Sequence, residues 1–342
     1  MNKYILFLII FIFFNNCSFN SKSNFWTKTQ KIENEKEKLE EVFKSQKELA
    51  REFNQNLKIK INAPYLQNPF ISNLTNNSGY INFSSEFKKT SKFKFKKIKN
   101  FEYINPDLLL GKDKSLIFFD EKGSILKFSQ DSKLIWKKNY YDKKEIKQKP
   151  TIYFATDNNI LIVADSLAKL YAMDYSNGNI LWKKINTTSF NSEIKIIDDK
   201  VFIVDLDNKI KCISLKDGNE IWNFNTEKSF IKSQRKISLV IYNGLVTFMD
   251  TFGDINALDL NTGKLVWQTQ TINEDIYESS FLIKSSRLVY DNGTIFVSNN
   301  QNKLLAIDSK NGFVKWEQLI KSDLEAAIID NLLITISENG YL

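Results

Sequence analysis

The sequence predicts an all-β fold, a propeller of four-stranded antiparallel blades, on three observations. Trp136, Trp182, Trp222, Trp267 and Trp316 stand 46, 40, 45 and 49 residues apart. Each closes a similar short block: Ala172-x-Asp174, Gly178, Trp182; Ala257-x-Asp259, Gly263, Trp267; Ala306-x-Asp308, Gly312, Trp316. Cys212-Ile-Ser214, Gly218, Trp222 is the same block with two substitutions. Short apolar runs separated by turn residues fill the space between blocks, and a 40–50-residue repeat of short strands is the mark of a propeller.

The second unit shows how one repeat becomes one blade. Thr151–Ala155 reads as its first strand, Ile160–Ala164 as its second, Leu170–Asp174 as its third and Ile180–Trp182 as its fourth. Asp157-Asn-Asn159, Asp165-Ser166 and Tyr175-Ser-Asn-Gly178 supply the turns. Glycine suits a turn position that requires φ > 0, and Asp or Asn side chains bond back to the turn backbone. Gly178, Gly218, Gly263 and Gly312 share that place. An isolated blade is a small sheet with two bare faces and is barely stable alone. A tryptophan on the outer strand can pack its ring between neighbouring blades, contributing about 1.5–3 kcal/mol of burial each. The small Ala or Cys of each block leaves room for that ring, which favours packing over ligand stacking.

Two units depart from the pattern. The first runs from Lys127-Phe-Ser129 to Trp136 with no glycine and one residue fewer, so its turn must be tighter or differently built. In the last, Leu324 to Ile336 reads as two strands and Glu338–Leu342 as the start of a third. Residues 101–342 are thus expected to hold five full blades and part of a sixth, an open arc that is incomplete at its C-terminal end.

The N-terminal third is organised differently. Lys3 precedes eleven apolar residues, Tyr4 to Phe14, too few for the roughly 20 that span a bilayer. They suit the h-region of a secretory signal, expected over residues 1–16. Cys17 directly afterwards resembles the acylated cysteine of a bacterial lipoprotein, although Phe14-Asn-Asn16 departs from the usual residues before it. Ser18, where Asp would retain such a protein at the inner membrane, resembles the outer-membrane pattern. Residues 17–56 read as a polar tether whose apolar positions from Ile32 to Phe53 fall near helical spacing. Residues 57–100 read as a lead-in. There Leu57–Ile61 and Ser91–Ile98 alternate as half-exposed strands do, and Pro64 and Pro69 interrupt regular structure.

Composition excludes several chemistries. The chain has no histidine, so Ser–His and Cys–His nucleophiles are ruled out and no imidazole can ligate a metal. No local Asp, Glu or Asn constellation stands out as a Ca²⁺ site. The net charge of +8 comes from lysines spread over turns and strand exteriors, with only three arginines, unlike a nucleic-acid reader. Cys17 and Cys212 are the only cysteines. With Cys17 lipidated no disulfide is expected, and Cys212, standing where other blocks have Ala, reads as a small buried apolar residue.

The Ala-x-Asp-x-x-x-Gly-x-x-x-Trp block resembles the repeat of pyrroloquinoline-quinone-type propellers. Rings of that type have eight blades, more than this chain supplies. Their enzymes hold the quinone and Ca²⁺ in the central channel beneath an adjacent cysteine pair. Without histidine or such a pair, this chain resembles the members that kept the repeat and lost the site, so no cofactor is expected. Signal, tether and propeller together resemble the BamB family of outer-membrane assembly lipoproteins, and the Asn62–Tyr65 and Asn68-Pro69 stretches resemble that family's lead-in. The resemblance implies a scaffold that binds the periplasmic domains of the central, BamA-like barrel-assembly protein. It implies an outer-membrane anchor at Cys17. It also implies a contact loop between central blades, matching Lys228–Arg235. In that loop Phe230 and Ile231 can serve as apolar anchors and Lys232 and Arg235 as partners of acidic groups, or the loop is a plain connector whose Phe230 packs inward. A quinoprotein dehydrogenase and a periplasmic ligand-binding propeller remain the alternatives.

Overall fold

Short apolar runs closed by tight turns dictate antiparallel hairpins, and the structure is a succession of them, with inner strands buried at nearly every position. The structure is a computed structural model that describes residues 75–77 and 108–340, apart from 112, 158, 227–234, 272–283 and 330–331. The expected signal peptide, tether helix and lead-in strands lie outside the described residues. Blade I is β1 (Leu109–Leu110), β2 (Leu116–Phe119), β3 (Ile125–Phe128) and β4 (Leu134–Lys138). Blade II is β5 (Ile152–Asp157), β6 (Ile160–Asp165), β7 (Lys169–Asp174) and β8 (Ile180–Ile185). Blade III is β9 (Lys195–Ile197), β10 (Lys200–Val204), β11 (Lys209–Ser214) and β12 (Glu220–Asn225). Blade IV is β13 (Leu239–Tyr242), β14 (Leu245–Met249), β15 (Ile255–Asp259) and β16 (Leu265–Thr269). Blade V is β17 (Val289–Asp291), β18 (Thr294–Asn299), β19 (Lys303–Asp308) and β20 (Val314–Gln318). A two-stranded sheet follows, β21 (Ala327–Ile329) with β22 (Leu332–Ile334). Every pairing in these sheets is antiparallel between consecutive strands. The last expected strand start does not form at Glu338–Gly340, which is a turn closed by Gly340 N–H donating to Ser337 O at 2.9 Å.

All described residues belong to one unit, residues 61–342. First strands of successive blades lie side by side, β5 with β9, β9 with β13 and β13 with β17. Fourth strands carry mostly exposed positions, so they form the outside. The core is a series of apolar layers, each shared by two adjacent blades. Ile117, Phe119, Leu161, Val163 and Tyr171 join blades I and II. Phe202, Val204, Cys212, Leu239 and Phe248 join III and IV. Cys212 is buried among them, and burial pushes its thiol up to about 12.

The block residues meet as a repeated device. Each small residue faces its tryptophan across the third and fourth strands: Ala172 with Trp182, Cys212 with Trp222, Ala257 with Trp267, Ala306 with Trp316. A β-bulge at each pair, and at Lys127–Trp136 in blade I, turns the residue before the tryptophan outward, leaving Ile135, Leu181, Ile221, Val266 and Lys315 exposed. The ring then lies on the glycine turn of the next blade: Trp136 on Gly178, Trp182 on Gly218, Trp222 on Gly263, Trp267 on Gly312. Each indole N–H donates to a carbonyl of that turn, Tyr175, Leu215, Leu260 or Ser309, at 2.9–3.2 Å. Trp136 and Trp267 are 7 % exposed, whereas Trp316, with no further glycine turn against it among the described residues, is 40 % exposed.

Blade I is the exception. Lys127 takes the small-residue place opposite Trp136. Its ammonium is buried, 3.0 Å from the Asp113 carboxylate and 3.5 Å from the centre of the Tyr175 ring. The turn before Trp136 is tighter. Ser132 N–H donates to Ser129 O at 3.0 Å, three residues back, where the other turns close over four, and Ser132 takes φ +62° without being glycine.

A second repeat caps the hairpins between second and third strands. One side-chain oxygen of Asp120, Asp165, Asp205, Asp250 and Asn299 accepts the amides two and four residues on, at 2.8–3.2 Å. The residue three on takes positive φ in each: Gly123, Ala168, Asn208, Gly253 and Asn302.

Two substitutions test these devices. Gly218 sits at φ +71° with any added Cβ 2.5 Å from the Trp182 ring, while Gly244 sits at φ +75° with nothing within 4 Å. Gly218→Ala is expected to cost about 2–5 kcal/mol, from strain plus overpacking, and Gly244→Ala about 1 kcal/mol. Urea midpoints of the two variants measure the difference, and equal shifts would contradict the ring contact. Burial, with the Asp254 carboxylate beside it, pushes Asp250 up to about 6 from 3.8, so its ionised form weighs against folding above pH 6 and not below 3.8. Asn299 does the same capping in blade V uncharged. Asp250→Asn is therefore expected to stabilise by about 1–2 kcal/mol at pH 8, a gain that vanishes towards pH 4 in urea titrations run across that range.

Candidate functional site

The first strands converge at the centre, and the residues leading into them carry charge. Glu193 precedes β9, Lys195 opens it, and Arg287 and Glu325 precede β17 and β21. The Glu193 carboxylate accepts from Leu239 N–H at 3.1 Å, lies 3.4 Å from the Lys195 ammonium and pairs with Arg287 Nε–H. Arg287 Nη1 reaches Glu325 at 2.8 Å. Glu193 and Lys195 are buried, and a buried ion pair is tolerable only when its remaining groups are satisfied.

Asn77, far upstream in the chain, completes the network. Its amide nitrogen, with two N–H groups, has four acceptors within reach: Glu193 Oε2, Leu239 O and Leu288 O at 3.0 Å, and Ser238 Oγ at 3.3 Å. Its amide oxygen accepts from Lys195 Nζ at 2.5 Å and Arg287 Nη2 at 3.1 Å. Thr75 O and Asn76 O accept from Ile241 and Tyr290 N–H at 2.8 Å, so residues 75–77 bridge β13 and β17. Burial pushes the Glu193 carboxyl up, but Lys195, Arg287 and Lys236 outweigh it and hold it at about 2. Burial works against the Arg287 charge, and Glu193 and Glu325 more than compensate, raising it. Burial raises Glu325 beyond what Arg287 offsets, and its Oε1 has no hydrogen-bond partner. Burial pushes the Lys195 ammonium down despite the Glu193 carboxylate beside it, and the four groups together join blades III to V and the strand entry of β21. Among the described residues no three His, Cys, Asp or Glu side chains gather as a metal centre requires.

Of the residues singled out from sequence, Trp136, Trp182, Trp222 and Trp267 build the blade junctions with Gly178, Gly218, Gly263 and Gly312, while Trp316 has no such turn against it among the described residues. Arg235 lies at the base of the connector between β12 and β13. Its carbonyl accepts from Asn191 Nδ2 at 2.7 Å, Nη1 donates to Ser285 O at 3.1 Å, and Nη2 pairs with Asp323. The charge expected to face a partner is thus engaged inside the chain, across the connectors entering β9, β17 and β21. Phe230, Ile231, Lys232 and Cys17 lie outside the described residues. Sequence reading missed Asn77, Glu193, Lys195 and Arg287, which no local pattern joins. The one sign was charge in otherwise apolar strand entries, as in Glu193-Ile-Lys195-Ile-Ile197.

Removing Asn77 is expected to release this bridge. In Asn77→Ala, hydrogen exchange at the Ile241 and Tyr290 amides should accelerate at least tenfold while the Leu258 amide keeps its rate, read by mass spectrometry. Glu193 titrates well below its ordinary 4.5, so its contribution is present above that pH and is lost as pH falls towards 2. Glu193→Gln should flatten that part of the acid-unfolding curve.

Comparison with known proteins places the fold. Residues 121–342 match the family model described as outer membrane protein assembly factor BamB. The outer membrane protein assembly factor BamB of Moranella endobia (strain PCIT) is 22 % identical over 235 residues, covering 53 % of this chain and 58 % of the relative. That of Yersinia pestis is 24 % identical over 198 residues, covering 54 % and 46 %. The chain therefore spans about half the length of the curated relatives it matches. The crystal structure of BamB from Moraxella catarrhalis shares the fold, with a TM-score of 0.51 at 14 % identity over 68 % of this chain and 66 % of that one.

Proposed function

From a chain that belongs to the family of the outer membrane protein assembly factor BamB, we propose a non-catalytic scaffold lipoprotein that helps insert β-barrel proteins into the outer membrane. The match of the family model over residues 121–342 is the observation that carries this reading. The scaffold binds the periplasmic domains of the central, BamA-like barrel-assembly protein. Cys17, acylated after removal of residues 1–16, holds it on the periplasmic face of the outer membrane through the 17–56 tether. One acyl chain alone gives marginal binding, so several are needed for a stable anchor.

Physical considerations support the partner contact at residues 228–235. Connectors from fourth to first strands lie at one end of the blades, as loops on a rigid frame. The connector between β12 and β13 begins at the outer strand and ends where Arg235 is tied to the neighbouring connectors. Phe230 and Ile231 supply apolar anchors of the kind that dominate interface energetics, and Lys232 a rim charge. Arg235 sets the base of the loop.

The deciding experiment is recovery of the tagged full-length protein from detergent-solubilised envelope, with bound proteins identified by mass spectrometry. The central barrel-assembly protein is expected to co-purify. Phe230→Ala/Ile231→Ala should lower its recovery at least tenfold without changing the melting temperature. Cys17→Ser should abolish metabolic labelling by palmitate. Absence of the assembly protein from a folded, acylated preparation would overturn the scaffold reading.

A further inference from the structure

Between blades I and II the connector forms a single short helix, α1 (Lys143–Lys147). Asp142 caps it, accepting from the Lys144 and Glu145 amides at 2.7 and 2.8 Å, and Glu145 returns the favour to Asp142 N–H at 2.9 Å. Glu145 also meets the largely buried Lys169 ammonium at 2.5 Å, and Ile146 packs on the apolar layer between the two blades. Tyr141 O–H donates to Asp165 at 2.6 Å. The helix is therefore fixed to the frame in one orientation.

That orientation decides where its charge points. With about 100° between successive residues, Lys143, Lys147 and Lys144 fall within one arc of roughly 100°, opposite the inward Glu145 and Ile146. All three are exposed, as is Lys122 in the turn beneath. Asn139 Nδ2 ties that turn to the connector through Lys122 O at 2.9 Å. Among the described residues the carboxylates of this turn and connector are engaged: Asp120 with Lys137 at 3.0 Å, Glu121 with Lys149 at 3.4 Å, Glu145 with Lys169, and Asp142 at the cap. Three cations thus share one face of a rigid element, and Lys122 stands exposed on the turn tied to its connector.

We propose that this face, Lys143, Lys144 and Lys147, together with Lys122, docks on an anionic lipid surface. Lysine ammonium groups are hydrated point charges, suited to a diffuse plane of headgroups, where bidentate recognition of single carboxylates would call for arginine. A protein interface would also need an apolar or aromatic anchor, and no exposed large apolar side chain occurs between Trp136 and Pro150. Basic clusters beside a bilayer draw their affinity from its surface potential, with each lysine near the surface contributing roughly fivefold.

The test uses the full chain carrying Cys17→Ser, so that no acyl group contributes, and flotation with vesicles of phosphatidylcholine alone or with phosphatidylglycerol. The Tyr4–Phe14 run meets both vesicles and cancels in the ratio of the two affinities. Lys143→Gln/Lys144→Gln/Lys147→Gln is expected to lower the preference for anionic vesicles about 10- to 100-fold. Raising salt to about 0.5 M should abolish the preference of the parent. The matched variant Lys216→Gln/Lys264→Gln/Lys310→Gln, altered in turns between third and fourth strands at the opposite end of the blades, should keep it. Should the first triple variant lose its melting transition, Lys147→Gln alone is expected to give about a fivefold drop. An unchanged preference overturns the proposal, and so does equal loss in both triple variants, which would assign the effect to net charge. Loss confined to capture of an acidic protein, with vesicle binding intact, overturns it too.

Discussion

An indole lying on the glycine turn of the next blade is the contact on which the structure depends. A four-stranded sheet of this size cannot hold itself together in water, because both faces need cover. The apolar layers supply that cover, and the tryptophan fixes where one layer ends and the next blade begins. Ring, indole N–H and turn carbonyl act together, so the junction has a defined distance and a defined angle. A purely apolar junction would leave neighbouring sheets free to slide.

The centre is held by different physics. Around the first strands the strand entries are charged, and Asn77 offers one amide to two cations, a carboxylate and two carbonyls. Its hydrogen bonds join segments separated by more than a hundred residues, which no single blade could organise. Outside, one side chain recurs and every junction is alike. Inside, one network serves blades III to V at once, and each member is unique.

That contrast explains what the sequence could tell. The outer junction recurs with a fixed period, so Trp182, Gly218 and their equivalents stood out, and the fold with them. Even the departure of the first turn was legible, because a missing residue and a missing glycine demand tighter closure, which Ser132 provides. The capping repeat at Asp120, Asp165, Asp205, Asp250 and Asn299 has the same period but hid in its degeneracy. Its positive-φ place accepts Gly, Ala or Asn, and its acceptor is Asp or Asn. Asp142 and Glu145 spelled a capping box that marked α1, overlooked because helices are not sought inside a run of strands. The Asn77 network was illegible for a deeper reason. Its members are far apart in the chain, each is an ordinary polar residue locally, and only the packing of blades III to V side by side brings them together.

The junction also has a direction. Each tryptophan from blade I to blade IV gives its ring to the glycine turn of its successor, whereas the matching turn of blade I carries Ser132 at φ +62° and no glycine. Trp316 can give, and the turn of blade I cannot receive in kind. Among the described residues the ring-on-glycine junction therefore runs one way along the chain, from each tryptophan to the turn that follows it.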